Sequence, residues 1–119
     1  MNRLIRKASK LMQRDLQDDV AQIHAHFCLG LSDPKRVLIV RALSNHVVSV
    51  GTLAKTVRMS QAATSRNLRI LRDGGIVHSE RQGQSVIYTL TDPRIIEVLN
   101  LVHGIMADQI DNRLSSLSR

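Results

Sequence analysis

Apolar residues recur at intervals of three or four along the first third of the chain, the spacing of a helix with one apolar face. The repeat runs through Leu16, Val20, Ile23, Phe27 and Leu31. Further apolar residues at positions 4, 5, 11 and 12 either extend this helix or form a separate short one. The pattern predicts a helical N-terminal region over residues 1–31.

Start and stop signals place a second helix directly after this region. Asp33 is suited to cap a helix and Pro34 to occupy its first position. The helix then runs to about Leu43, and its apolar residues predict burial of Val37, Leu38 and Val40. A turn over residues 44–46 ends it.

Two short helices follow, with a tight connection between them. The first spans residues 50–57, and Arg58-Met59 links it to the second. Ser60 is a natural N-cap for that second helix, and Gly74-Gly75 ends it where a left-handed residue is favoured. This arrangement predicts a helix-turn-helix over residues 50–75.

The helix after Ser60 has two contrasting faces. Thr64 (or Ala63), Leu68 and Leu71 form a narrow stripe at helical spacing that is suited to burial. The opposite face carries side chains that can hydrogen-bond base edges and phosphates, namely Gln61, Ser65, Arg66 and Arg69. A helix that is dry on one side and basic on the other suits insertion into a DNA major groove.

The spacing of apolar residues then changes from that of a helix to the two-residue alternation of a strand. Runs rich in β-branched residues at 76–80 and 85–90 predict two strands. The turn between them, residues 81–84, is polar and basic, so the segment 76–90 is predicted to be a hairpin with a positive tip. Asp92-Pro93 repeats the helix start signal, and a last helix follows over 93–117. Its apolar positions continue too far along for a small domain to cover alone.

Composition narrows the functional classes. The 119 residues carry 17 basic and 10 acidic side chains, a formal charge of +7, which favours a polyanionic partner. One tyrosine and one phenylalanine are too few aromatic platforms for a protein that binds single-stranded nucleic acid, so double-stranded DNA is the better target.

The single cysteine, Cys28, excludes an intrachain disulfide and a paired-cysteine metal knuckle. With no membrane-length apolar run and no secretory signal, we expect a cytoplasmic protein without a membrane partner. No nucleophile–base pair or phosphate loop is present, so we expect no enzyme.

Three segments in this order resemble the ArsR/SmtB family of bacterial repressors, over about residues 21–112. They are the LGLSDPKRVLI segment at 29–39, which is similar to the family's ALADPTRLRIL turn, the helix and turn at 60–77, and the wing at 81–88. The resemblance implies one mainly α domain with a small β-hairpin (α+β), a winged helix-turn-helix with about five helices and a two-stranded wing. It also implies a homodimer that is joined by its first and last helices, binds an imperfect inverted repeat in DNA and is released by an inducer.

Pattern and resemblance together nominate the site residues. The expected DNA contacts are Ser60, Gln61, Ala62, Ser65, Arg66, Arg69, Arg81 and Gln84. The expected dimer contacts are Leu16, Val20, Ile23, Phe27, Leu99, Val102, Met106 and Ile110. Lys35, Arg36 and Lys55 are expected to contribute only general charge.

The family's familiar inducer sites are incomplete in this sequence. Its metal sensors use paired cysteines or an Asp/His/His/acidic set, and its persulfide sensors use a dithiol. At the paired-cysteine positions this chain has Ser49 and Gly51. At the positions of the Asp/His/His/acidic set it has Asp92, Arg94, Ile105 and Asp108. At the dithiol positions it has Arg41 and Ala107. Neither two carboxylates alone nor a single cysteine reproduces these sites.

A weaker ligand set remains. His24 and Cys28 lie four residues apart on the first helix, and His103 lies on the last, so together they could ligate a soft or borderline metal across the dimer. The alternatives are that these side chains are structural, that Cys28 is an oxidation sensor, or that the inducer is a small molecule or is absent altogether. The cofactor and the inducer stay unknown.

Three functions are compatible with these observations. The leading one is a dimeric, sequence-specific transcriptional repressor. The second is a constitutive or architectural DNA-binding regulator with no inducer. The third is a protein-dimerisation module with a vestigial wing, which the basic face of the helix at residues 61–73 disfavours.

Overall fold

A computed structural model describes residues 2–44 and 48–118, and within these ranges the chain forms five helices and a three-stranded sheet. The elements are α1 (Arg3–Gly30), α2 (Pro34–Ala42), β1 (Val48–Ser49), α3 (Val50–Val57), α4 (Gln61–Asp73), β2 (Val77–Gln82), β3 (Ser85–Leu90) and α5 (Arg94–Leu117). The apolar residues near the N-terminus extend α1 and form no separate helix. The predicted turn at 44–46 lies, apart from Ser44, outside the described residues.

Side-chain caps start two helices where the sequence predicted them. Asp33 accepts a hydrogen bond from the Lys35 N–H at 2.8 Å, and the Ser60 hydroxyl accepts one from the Ala63 N–H at 3.1 Å. These bonds satisfy backbone donors that have no partner within the helix, which fixes where α2 and α4 begin. Asp92 accepts from the Arg94 N–H at 2.9 Å, but α5 begins one residue later than predicted, after Pro93, which has no capping side chain.

The sheet contains one more strand than the sequence predicted. All pairs are antiparallel in the order β1-β3-β2, and β2 and β3 form the predicted hairpin around a two-residue turn at Gly83-Gln84. The addition is β1, in which Val48 pairs with Tyr88. Two residues are too few to show a strand period, and their pairing depends on the arrival of a hairpin from 40 residues away.

The core lies between α2, α3, α4, the base of the hairpin and the start of α5. Its buried apolar members are Ile39, Val40, Leu43, Leu53, Leu68, Leu71, Ile76, Val77, Ile95 and Leu99. The predicted burial of Leu38 is wrong, since this side chain is 54% exposed and Ile39 is fully buried instead. Four consecutive apolar residues in α2 hide the helical period, so the buried face could not be identified from the pattern alone.

The two glycines after α4 have different structural tasks. A Cβ on Gly74 would lie 2.7 Å from the His26 carbonyl oxygen, so glycine permits α1 to pass close to the end of α4. Gly75 has a φ of +73° and is the left-handed residue that the sequence predicted at this helix end. A Cβ on Gly75 would meet nothing within 4 Å, so a substitution there tests the backbone conformation by itself.

We expect Gly75→Ala to lower the free energy of unfolding by about 1 kcal/mol, because an L-residue is strained at positive φ. Gly104→Ala is the matched control: it also has open space for a Cβ but lies inside α5, where alanine should stabilise by about 0.5–1 kcal/mol. Urea unfolding followed by circular dichroism measures both changes. Equal effects of the two substitutions would contradict this interpretation.

Candidate functional site

Helix α4 has one face in the core and the other in solvent, as predicted. Thr64, Leu68 and Leu71 are at most 1% exposed and hold the helix in a fixed rotation. The outward face consists of exposed residues, which are Gln61, Ala62, Ser65, Arg66 and Arg69. Because the buried stripe fixes the rotation of α4, these side chains point away from the protein together.

The N-terminus of α4 is capped by Ser60, which the sequence also nominated as a DNA contact. Its hydroxyl oxygen accepts from the Ala63 N–H, so the hydroxyl proton is free to be donated outward. Thr64 turns its own hydroxyl inward and donates it to the Ser60 carbonyl oxygen at 2.9 Å. The two hydroxyls thus have separate tasks, one at the exposed end of the helix and one in the core.

The wing lies beside the outward face of α4. Arg81 and Gln84 are exposed at its tip. Ser79 pairs with Tyr88, so Arg81, two residues further along β2, projects from the same face of the hairpin as Tyr88. That face borders α4, because Tyr88 lines a small cavity together with Ser65 and Arg69. The predicted helix and wing residues therefore lie on one side of the molecule.

This side of the molecule carries uncompensated positive charge. Within residues 2–44 and 48–118, the ion pairs are Arg36 with Asp33 and Arg94 with Asp92. The guanidinium groups of Arg66, Arg69 and Arg81 have no carboxylate partner there. Exposed, unpaired guanidinium groups on a rigid helix and hairpin are suited to bind phosphates and the hydrogen-bonding edges of guanine.

Arg36 is not the general surface charge that the sequence suggested. It is 8% exposed, and its guanidinium donates to the carbonyl oxygens of Gly30 and Leu29 at 3.0 and 2.9 Å. It also donates to Asn67 Oδ1 in α4 at 3.3 Å. Arg36 therefore ties the end of α1 to the helix that bears the candidate site.

A second surface, on α1 and α5, is apolar and uncovered. Every residue from 2 to 26 is exposed, including Leu16, Val20 and Ile23 at 63–68%. On α5, Val102, Met106 and Ile110 are 40–57% exposed. These three side chains lie on the same face of α5 as the buried Ile95 and Leu99. The apolar face of α5 therefore continues past the end of the core into solvent.

Two residues predicted for this surface pack within their own chain. Leu99 is 4% exposed and belongs to the core, so the uncovered stripe on α5 begins at Val102. Phe27 is half-buried and packs against the same core. The burial of Leu99 corrects its prediction as a dimer contact, whereas Phe27 keeps exposed surface and stays a predicted contact. Helical spacing identifies an apolar face but does not show what covers each part of it.

The three residues of the unorthodox ligand set do not come together within one chain. Cys28 Sγ lies 3.5 Å from His24 Nε2, as the four-residue spacing predicted. His103 Nδ1 instead lies 2.7 Å from Nη2 of Arg41. The other terminal nitrogen of this guanidinium group, Nη1, donates to Asn100 Oδ1 on α5. In the part of the chain that the structure describes, no group of three potential metal ligands is present.

The positions that match the family's zinc ligands do not fit a metal. The Arg94 guanidinium contacts the Asp92 carboxylate at 2.7–3.1 Å and holds the pKa of Asp92 at about 2. A cation thus occupies the space beside Asp92, one of the two carboxylates at these positions. Ile105 has no ligand atom.

Two residues of the basic side were missed by the sequence analysis. Arg72 follows Arg69 by three positions and Ser65 by seven, so helical spacing alone places it beside them. Tyr88 carried no such signal, because its position depends on which face of the hairpin packs against α4.

Among the described helices, none has the length and apolar character needed to cross a membrane.

Comparison with known proteins agrees with this geometry. The family model described as bacterial regulatory protein, arsR family, matches residues 33–79. Nodulation protein NolR of Rhizobium meliloti is 33% identical over 91 residues, which cover 76% of this chain and 75% of that protein. The transcriptional repressor SmtB homolog of Synechocystis sp. is 36% identical over 80 residues, covering 67% of this chain and 61% of that protein.

A solved structure extends the likeness to the fold. It is the homodimeric winged helix-turn-helix DNA-binding domain of a possible ArsR-family transcriptional regulator from Mycobacterium bovis. The TM-score is 0.72 at 21% identity, and the match covers 82% of this chain and 91% of that one. The fold is therefore a winged helix-turn-helix.

Proposed function

Because the chain belongs to the ArsR family of bacterial regulatory proteins, we propose that it is a homodimeric repressor of transcription that binds double-stranded DNA. One observation carries this proposal: the basic face of α4 is held rigidly outward beside the basic tip of the wing. The SmtB homolog among its relatives is named a repressor, which supports the direction of regulation.

The recognition element is α4, with its N-terminal half in the major groove. A B-DNA major groove is about 12 Å wide and admits one α-helix. Gln61, Ser65 and Arg66 then face base edges, while Ser60 and Ala62 lie close to the backbone at the helix N-terminus. Arg81 and Gln84 on the wing reach the adjacent phosphates or the minor groove.

The exposed apolar stripes of α1 and α5 supply the dimer interface. A 28-residue helix with 24 consecutive exposed positions gains little stability from its own chain, since most helical stability comes from packing of an apolar face. The M. bovis neighbour is described as homodimeric. Two-fold symmetry places two copies of α4 in successive major grooves about 34 Å apart, which requires an inverted repeat in the operator.

A second candidate, a constitutive regulator without an inducer, is favoured by one observation. The residues at the family's zinc positions form an Arg94–Asp92 ion pair instead of a ligand set. An inducer of another chemical class remains part of the first proposal. Measurement of operator affinity with and without metal chelator and thiol oxidant, in wild type and Cys28→Ser, separates these cases.

We expect Arg66→Ala and Arg69→Ala each to weaken operator binding by about 1–3 kcal/mol, because a bidentate contact to a base or phosphate is lost. Fluorescence anisotropy with an operator selected from a random-sequence duplex library measures the effect. Arg14→Ala is the matched control, since Arg14 is exposed on α1 two residues from Leu16 and so on the opposite side from the apolar stripe. Affinity equal to wild type in both α4 variants would exclude α4 as the recognition helix.

A further inference from the structure

A small polar cavity of about 170 Å³ lies between α4 and β3, at the junction of helix and wing. Its lining residues are Ser65, Leu68, Arg69, Arg72 and Tyr88. Two guanidinium groups and two hydroxyl groups thus converge on a space that holds several water molecules. Leu68 belongs to the core and closes the floor. We refer to this cavity as the α4–β3 notch.

The donors of the notch are not used by the protein itself. In the described part of the chain, Arg69 and Arg72 make no ion pair, and neither they nor the Tyr88 hydroxyl make a side-chain hydrogen bond. Glu80, the acidic residue of the wing, pairs with Ile87 and so projects from the opposite face of the hairpin to Tyr88. The notch is therefore a concentration of free donors with net positive charge.

The position of the notch indicates which anion it meets. If α4 lies in the major groove and the wing tip touches the neighbouring groove, the strand of backbone that separates the two grooves must pass between them. The notch lies at that place, and a phosphodiester group has the size and charge to enter it. Arg72, on the last turn of α4, supplies charge there at a point too far from the helix N-terminus to read the same bases.

We propose that the α4–β3 notch binds one phosphodiester group of the DNA backbone, with Arg72 as its main charge and the Tyr88 hydroxyl as an additional donor. This inference rests on the proposed DNA-binding function. It assigns Arg72 and Tyr88 to affinity and register, whereas Arg66 and Gln61 read the sequence.

The salt dependence of binding tests the proposal. A labelled random-sequence duplex of about 30 base pairs, long enough for three helical turns, is titrated at several NaCl concentrations. The plot of log K against log[NaCl] has a slope that counts phosphate contacts. We expect Arg72→Gln to reduce the magnitude of the slope by about one per notch engaged, thus about two for a homodimer.

Companion variants separate charge from structure. Arg72→Lys should keep the wild-type slope, and Tyr88→Phe should lower affinity several-fold with little change in slope, because it removes a neutral donor. The ratio of operator to random-duplex affinity should be unchanged in all three, since a backbone contact carries no sequence information. Arg14→Gln, remote on α1, is the control for loss of one positive charge.

The outcomes distinguish this inference from the function on which it rests. An unchanged slope in Arg72→Gln, with wild type still binding duplex, overturns the notch and leaves the DNA-binding function intact. No duplex binding by wild type overturns both. Replacing part of the NaCl with inorganic phosphate at constant ionic strength gives the last arm. Selective inhibition of wild type but not of Arg72→Gln supports the notch, because free phosphate then competes with the DNA backbone for it, and equal inhibition of both proteins would overturn it.

Discussion

Arg36→Ala is expected to lower the free energy of unfolding by about 3 kcal/mol, a large part of the stability of a domain this size. The substitution leaves the Gly30 carbonyl oxygen at the end of α1 without a donor, and it removes the bond to Asn67 in α4. The Leu29 carbonyl oxygen loses one donor but keeps the hydroxyl and the N–H of Ser32. Hydrogen bonds from a charged donor are stronger than neutral ones, and Arg36 makes them in a buried place. Arg36→Lys should recover little, because one ammonium group cannot span acceptors on both sides of the guanidinium fork.

Urea unfolding at one fixed protomer concentration measures this loss, since the stability of an oligomer depends on concentration. Lys35→Ala is the matched control: it removes the neighbouring positive charge from an exposed site and should change stability by no more than about 0.5 kcal/mol. Similar effects of the two substitutions would show that Arg36 contributes only charge, as the sequence alone suggested.

The second large effect concerns assembly. We expect the double substitution Met106→Glu and Ile110→Glu to convert the proposed homodimer to a monomer. Both side chains lie more than half exposed on the continuation of the buried face of α5. Burial of one such side chain stabilises by about 1.5–3 kcal/mol, and two-fold symmetry counts each substitution twice. A single substitution thus costs about 3–6 kcal/mol, a factor of roughly 10² to 10⁴ in the dimer dissociation constant.

Analytical ultracentrifugation over a range of protein concentrations measures the dissociation constant. Asp108→Lys serves as the control, because Asp108 lies between Met106 and Ile110 in sequence but on the opposite face of α5. The double variant should also bind operator more weakly, since a monomer engages one half-site. If it sediments as a dimer, the α5 stripe is not the interface.

Several parts of the structure were accessible from the sequence because their causes are local. A capping side chain acts on backbone groups two or three residues away, so Asp33 and Ser60 predicted the starts of α2 and α4. The left-handed residue at Gly75 follows from backbone sterics at one position. The two faces of α4 follow from spacing within thirteen residues. Net charge and aromatic content are counted directly from the sequence and need no knowledge of the fold. They therefore already indicated double-stranded DNA as the class of partner.

Other features depend on contacts between residues that are distant in sequence. The burial of Arg36 requires α1 and α4 to meet beside it, and neither meeting is visible in a window around position 36. The face of α2 was misassigned at Leu38 because a run of four apolar residues has no polar position to mark the solvent side. Only the packing of other segments against α2 decides which of the four side chains are buried. The strand β1 and the α4–β3 notch exist only because the hairpin folds back onto earlier parts of the chain.

The outward basic helix, its caps and its family were therefore determined by the sequence itself, since short-range geometry and composition suffice for them. Tertiary structure alone decided that Arg36 is a buried tie, that Leu99 belongs to the core, and that Tyr88 stands beside α4. The physical reason is that a side chain's hydrogen bonds and burial depend on which other segments pack against it. Packing of remote segments is a property of the whole fold and leaves no periodic signal near the residue.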